Sequence, residues 1–174
     1  GVVMIVFSSI ILGLEGNVGV AAYGVIANLS LVVIAIYTGI AQGIQPLISS
    51  NYGTGNRGNV QSILKYAFIS VVAVSAVVYI GVYFGAAQIA GVFNSEQNLL
   101  LQTIAVMGLK VYFIGCVFAG FNIVLSVYFT STECALPAHV ISLLRGFIII
   151  VPLTFLLSAI GGMKGVWSVF PVTE

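Results

Sequence analysis

Residues 35–56 read Ala-Ile-Tyr-Thr-Gly-Ile-Ala-Gln-Gly-Ile-Gln-Pro-Leu-Ile-Ser-Ser-Asn-Tyr-Gly-Thr-Gly-Asn. An apolar helix runs into this stretch carrying Gly39 and Gly43 at small-xxx-small spacing, with Thr38, Gln42 and Gln45 beside them. At 100° per residue, Asn28, Thr38, Gln42, Gln45 and Ser49 fall within an arc of roughly 100°. Pro46 is expected to disrupt the ladder, and Asn51, Gly53, Gly55 and Asn56 form a turn-rich exit. A polar stripe on an otherwise apolar helix has two readings. It lines a cavity, or it hydrogen-bonds neighbouring helices of a bundle.

Composition fixes the solvent. The chain of 174 residues is 60% hydrophobic and 5% charged, where soluble domains carry about 25% charged residues. Its mean hydropathy is +1.21. Five or six helices of about 20 to 30 residues fit this length. The expected spans are 1–14, 18–45, 61–93, 98–130, 136–160 and 165–174, with the first and last incomplete, so that the chain reads as a fragment. The run 66–93 is rich in valine, yet far longer than an ordinary strand. Its Gly81-Val-Tyr-Phe-Gly85 step is expected to pack closely, as are Gly115 and Ala119 in the next run. Pro152 predicts a kink over residues 148–152.

Few residues here carry chemistry. With no Asp, four Glu and one His, and no carboxylate pair at useful spacing, an enzyme is not expected. His139 reads as an interfacial residue rather than a base. Cys116 and Cys134 are 18 residues apart, about 27 Å on one helix, out of disulfide reach, and neither has metal-ligand spacing. No metal or other cofactor is expected. A net charge of +1 without a basic patch gives no nucleic-acid partner.

Lys110 is the most informative charge. It stands about eleven residues into an apolar run, where insertion costs roughly 2.5–3.5 kcal/mol. Its ammonium is expected to point into the bundle, near the Asn28–Gln45 stripe or a backbone carbonyl, with a long stem reaching the interface as the alternative. Asn122, Ser126 and Thr130 recur every four residues and either line a cavity or bond a neighbour. Arg145 lies one to two turns inside its span, with Glu133 as candidate partner in a structural clamp. Trp167 and Tyr128 suit the interface belts.

The pattern Gly39-x-x-Gln-Gly-x-Gln-Pro-Leu-Ile-x-x-Asn-Tyr-Gly-x-Gly-Asn56 resembles the second helix of a lobe in the multidrug and toxic compound extrusion (MATE) transporters. Three later segments point the same way, in the family's order: Val127–Glu133, Ser142–Phe147 leading to Val151-Pro-Leu153, and Gly165–Glu174. The resemblance is to the C-terminal lobe of a bacterial member. It implies an all-α membrane protein, here one six-helix transmembrane lobe of a twelve-helix, two-lobe transporter in the bacterial cytoplasmic membrane. It also implies export of cationic or amphipathic small molecules in exchange for protons or sodium ions, and the missing N-terminal lobe and the lipid bilayer as partners. On this resemblance the substrate-cavity candidates are Asn28, Thr38, Gln42, Gln45, Lys110, Asn122 and Ser126; Glu133 and Arg145 are structural candidates on the cytoplasmic side. Many members carry an intramembrane acid for the coupling ion. Here the spans to Ile160 hold none, and only Glu15 and Glu174 come near, so the coupling ion is expected to bind mainly in the missing half. The alternatives are a lipid-linked oligosaccharide flippase of a related superfamily, for whose pyrophosphate Lys110 and Arg145 are few cations, and a non-transporting scaffold.

Loop charges give the orientation. Arg57 and Lys65 mark the second loop, and His139 and Arg145 flank the fourth, whereas the first and third hold only Glu15 and Glu96. The second and fourth loops are therefore expected to be cytoplasmic and the others external, against Lys164 in the fifth. A cysteine at Gly55 is expected to resist an impermeant thiol reagent in intact cells, while one at Asn94 is labelled. The opposite pattern inverts the topology.

Overall fold

The computed structural model describes residues 2–95 and 97–174. Gly1 and Glu96, the latter counted above among the loop charges, lie outside the described residues. Among the described residues all regular structure is helical: α1 (Val2–Gly53), α2 (Arg57–Phe93), α3 (Leu99–Tyr112), a 3₁₀ turn (Phe113–Gly115), α4 (Cys116–Ser131), α5 (Ala135–Leu143), a π-helical segment (Leu144–Ile149) and α6 (Ile150–Thr173). Four stretches, Val3–Gly53, Arg57–Phe93, Leu99–Ser131 and Leu136–Thr173, are long and apolar enough to cross a membrane.

Two of these stretches fold back on themselves. Gly16 holds φ 63° and ψ −153°, a region open essentially to glycine. Beyond it the chain reverses, because the rings of Phe7 and Tyr23 stack with centroids 5.7 Å apart; sixteen residues of straight helix would separate them by about 24 Å. Gly162 repeats the device with φ 52° and ψ −134°. There Arg145 and Glu174 meet at 2.8 Å, where an unbroken helix would hold them about 43 Å apart. The lobe therefore has six legs: 2–15, 17–53, 57–93, 99–131, 135–161 and 163–173.

The prolines act differently from expectation. The helix does not stop at Pro46 but continues to Gly53. Proline removes one ladder donor, and the exit is closed instead by side chains: Asn51 Nδ2 donates to Leu47 O, and Thr54 Oγ1 to Ser50 O and Asn51 O. Gly55 then turns at φ +74°, which makes Thr54 the less strained carrier for the topology label. Ahead of Pro152 the chain widens into the π-helical segment 144–149. This is one way to absorb a missing donor and a displaced carbonyl.

The leg 99–131 is the centre of the lobe, and glycines let its neighbours approach. A Cβ at Gly108 would overlap Ile26 Cδ1 and lie 2.8 Å from Trp167; one at Gly115 would lie 2.8 Å from the Pro171 backbone; one at Gly120 would meet Val71 Cγ1 at 2.5 Å and Tyr37 at 3.2 Å. Ala119, beside them, is buried. The glycine step at 81 and 85 does not pack as expected. Nothing approaches Gly81, which is exposed on the outer side of α2, and the half-buried Gly85 meets only Ile89 of its own helix. Gly39 and Gly43 are likewise free of neighbours within this lobe.

Trp167 also departs from expectation. Instead of reaching an interface it is fully buried, because Gly108 leaves a slot for its indole, flanked by Tyr23 at 6.3 Å. One buried polar link joins the first two long legs: the Tyr37 hydroxyl and Ser75 Oγ lie 2.7 Å apart, and Ser75 donates to Val71 O. Such interhelical bonds contribute about 0.6 kcal/mol on average in lipid. Gly108→Ala is expected to destabilise the detergent-solubilised protein by about 1–3 kcal/mol through overpacking, seen as a lower melting temperature. Gly39→Ala, on the open face, should leave it unchanged.

Candidate functional site

Two groups of polar side chains remain once the core is accounted for. The first is the stripe on α1. Ala22, Ile26, Val33, Tyr37, Ala41 and Ile48 form the buried face of that leg. Asn28, Gln42, Gln45 and Ser49 are exposed on the other side, and Thr38 is half-buried. Asn28 Nδ2 donates to Gly24 O at 2.9 Å and Thr38 Oγ1 to Ile34 O at 2.8 Å, so both satisfy themselves within their own helix. No hydrogen bond ties any stripe side chain to another helix among the described residues. The hydrogen bonds of this stripe thus stay within its own helix. The stripe presents a polar, small-residue face to whatever lies beyond.

The second group lies inside the lobe. Arg145 NH1 donates to Glu174 Oε2 at 2.8 Å. Asn122 Nδ2 donates to the same oxygen at 3.0 Å and to Glu174 O at 2.8 Å. The side chains of Arg145 and Glu174 keep only 28% and 9% of their accessibility. Arg145 stands ten residues, about 15 Å, beyond the start of its leg, and Asn122 nine residues, about 14 Å, before the end of α4. Both distances put the cluster near the middle of a ~30 Å hydrocarbon core. There an isolated charge is expensive, so a paired arginine and carboxylate form one neutral unit. Beside the pair is a cavity of about 270 Å³ lined by Tyr23, Ser30, Tyr112, Arg145, Phe170 and Glu174. Tyr112 and Phe170 stack almost in parallel, 4.1 Å apart, and form part of its wall.

This arrangement corrects two expectations, for Glu133 and Lys110, and decides an open one for Asn122. Glu133 does not pair with Arg145: it is exposed, at φ +61°, in the turn after α4, about three helical turns from the depth of Arg145. Ser126 Oγ donates to Asn122 O and Thr130 Oγ1 to Ser126 O, so only Asn122 of that row reaches a neighbouring leg. Lys110 points neither at the Asn28–Gln45 stripe nor at a backbone carbonyl. Its Nζ lies 4.6 Å above the ring of Tyr83, on the outer side of α2, where Tyr79 and Phe84 adjoin that ring. A face-on ring supplies about 0.5–2 kcal/mol to a cation. Sequence reasoning missed Glu174 as Arg145's partner. Chain position carried no signal for this choice, because Glu133 and Glu174 both follow apolar runs on legs antiparallel to 135–161.

A family model described as MatE matches residues 2–156. The multidrug export protein MepA of Staphylococcus aureus (strain MSSA476) is 28% identical over 154 residues, which is 88% of this chain and 33% of MepA. The corresponding protein of Staphylococcus saprophyticus is 25% identical over the same length. Among solved structures, an outward-facing multidrug resistance MATE family transporter of the MOP superfamily superposes with a TM-score of 0.90 at 17% identity, covering 99% of this chain and 39% of that one. A MOP superfamily transporter from Pyrococcus furiosus gives a TM-score of 0.90 at 18% identity over the same shares. The chain spans about one third of the length of the curated relatives it matches.

The neutral pair makes a specific demand on substitution. Glu174→Gln strands a largely buried guanidinium and is expected to cost stability near the lower end of the about 3–5 kcal/mol seen when one partner of a buried pair is lost. Arg145→Gln combined with Glu174→Gln should recover most of it. Thermal unfolding of the two variants checks this; equal losses in both would mean that the hydrogen bonds, not the charges, matter.

Proposed function

Because this chain belongs to the MatE family, whose members are multi-pass membrane transporters, we propose that it forms one lobe of an exporter of cationic or amphipathic small molecules in a bacterial cytoplasmic membrane. Exchange for protons or sodium ions drives the export in this reading. The relatives named as multidrug export proteins support it. So does the fact that this chain spans only a third of them, which leaves room for a second lobe.

One observation carries the proposal: the polar face of α1 has no partner within its own lobe. Asn28, Gln42, Gln45 and Ser49 stand exposed on a helix whose other side is entirely core. Exposed α2 residues such as Ile69, Val77, Ile80 and Phe84 are apolar, as a lipid contact requires. The exposed side of α1 instead mixes amides, hydroxyls and glycines with Leu31, Val32, Ile36 and Leu47, a mixture that suits a water-accessible cleft shared with the other lobe, where an amphipathic substrate finds both polar and apolar contacts. Alternating access then follows from movement of one lobe against the other.

The Arg145–Glu174 pair bears on coupling. A carboxylate that already accepts from a guanidinium and an amide has its counter-charge, and a sodium ion gains little there. The coupling ion in this reading binds mainly in the other lobe. In the full-length protein, Gln42→Leu or Asn28→Leu should reduce drug export several-fold while folded yield stays near that of the parent. A fall of yield in step with export would reject the cleft. In the same assay, the double Arg145→Gln, Glu174→Gln variant should keep proton- or sodium-driven export. Its loss, with substrate binding intact, would move the coupling site into this lobe.

A further inference from the structure

The end of the lobe that carries Arg57 holds two adjoining concavities. One is a notch of about 290 Å³ between α1, α2 and α4, lined by Tyr52, Arg57, Gln61, Tyr128, Thr132 and Cys134 among others. The other is an almost wholly apolar groove of about 600 Å³ along α2, lined by Leu64, Lys65, Phe68, Ile69 and Val72, with Gln61 common to both. Helix geometry explains the groove. Gln61, Lys65, Ile69 and Ala73 form one i, i+4 ridge, Leu64, Phe68 and Val72 the next, and the groove runs between them. Phe121 of α4 braces its floor through an edge-on contact with Phe68 at 5.1 Å.

Charge and depth match the two parts. Arg57 and Lys65 are both exposed, and among the described residues neither has a carboxylate within salt-bridge distance. Glu133 is exposed between two residues of the notch, leaving this end with a balance of one positive charge. Lys65 is the last charge before the uncharged run 66–93, so it marks the level of the lipid headgroups. From Lys65 to Ala73 the groove covers about 12 Å of helix, a little less than half of a ~30 Å hydrocarbon core. A polar, cationic head site with hydroxyl donors, continuous with an apolar channel one leaflet deep, is the outline of a single ligand class.

We propose that this notch and groove form a binding site for one anionic glycerophospholipid, its phosphate against Arg57 and Lys65 and an acyl chain along Leu64, Phe68, Ile69 and Val72. The site lies on the apolar outer face of α2, away from the polar face of α1, and is separate from the transported substrate. An arginine holds phosphate oxygens through a planar fork of donors, and Lys65 adds a point charge one headgroup away. Both cations at the headgroup level favour an anionic over a zwitterionic headgroup.

The test uses the full-length protein purified in detergent, with phosphatidylglycerol and phosphatidylcholine as probes in native mass spectrometry. The unmodified protein should retain phosphatidylglycerol over phosphatidylcholine, and Arg57→Gln with Lys65→Gln should cut that retention at least five-fold without changing phosphatidylcholine. Unchanged retention, or equal loss of both lipids, overturns the proposal. A second measurement needs no variant: a photoactivatable phosphatidylglycerol should crosslink within residues 61–73. Absence of crosslinks there, as expected if a helix of the other lobe covers α2, overturns it too. So does displacement of the lipid by excess inorganic phosphate, which would mark a plain anion site.

Discussion

Close approach to one central leg is the contact on which this lobe depends. Lipid tails are as apolar as leucine, so burying apolar surface between helices gains little in a membrane, and packing must come from contact itself. Gly108, Gly115 and Gly120 supply it along the leg 99–131, each at a point where a side chain would collide with a neighbour. Through these gaps Ile26, Trp167, Val71 and Tyr37 reach the axis of the lobe. The 3₁₀ turn at Phe113–Gly115 falls where the Pro171 backbone comes nearest. The largest buried residue, Trp167, sits against the first of the three glycines.

Polar groups are then disposed of in two ways. Most hydroxyls bond a carbonyl one turn back, as Thr38, Ser126, Thr130 and Thr154 do, which removes them from the energy balance of packing. Of those that cross between legs, Gln102 to Ala87 O and Asn59 to Asn51 lie near leg ends, and two lie at depth: Tyr37 with Ser75, and Asn122 with the Arg145–Glu174 pair. The second is the more consequential. It ties α4, the π-helical segment and the last leg together across a cavity, and it neutralises two charges that lipid would not tolerate separately.

The outer faces of the two longest legs carry the functional argument. That of α1 offers Asn28, Gln42, Gln45, Ser49 and two uncovered glycines among exposed Leu31, Val32, Ile36 and Leu47; that of α2 is dominated by tyrosine, valine, isoleucine and phenylalanine with a cationic end. One protein meets two environments on its two sides. The proposed cleft on the first and a bilayer on the second are consistent with that difference.

What the sequence by itself determined is axial. Composition placed the chain in a membrane, glycine-bearing breaks near 16 and 162 divided it into legs, and 100° periodicity grouped Asn28, Thr38, Gln42, Gln45 and Ser49 on one side of a helix. It also showed that Lys110 lies deep, whereas it left Arg145 near a cytoplasmic helix end. Periodicity carries no information on which helix stands opposite a given face, and there the tertiary structure decided. It gave Arg145 the distant Glu174 rather than the nearby Glu133, set Lys110 over Tyr83 rather than beside the polar stripe, and buried Trp167 in the slot at Gly108. It left Gly81 and Gly85 uncovered although their spacing matched that of a packing face. The physical reason is common to all of these. A helix fixes the depth and angle of each side chain by local bonds alone, whereas its partner is fixed by how six legs pack around one centre.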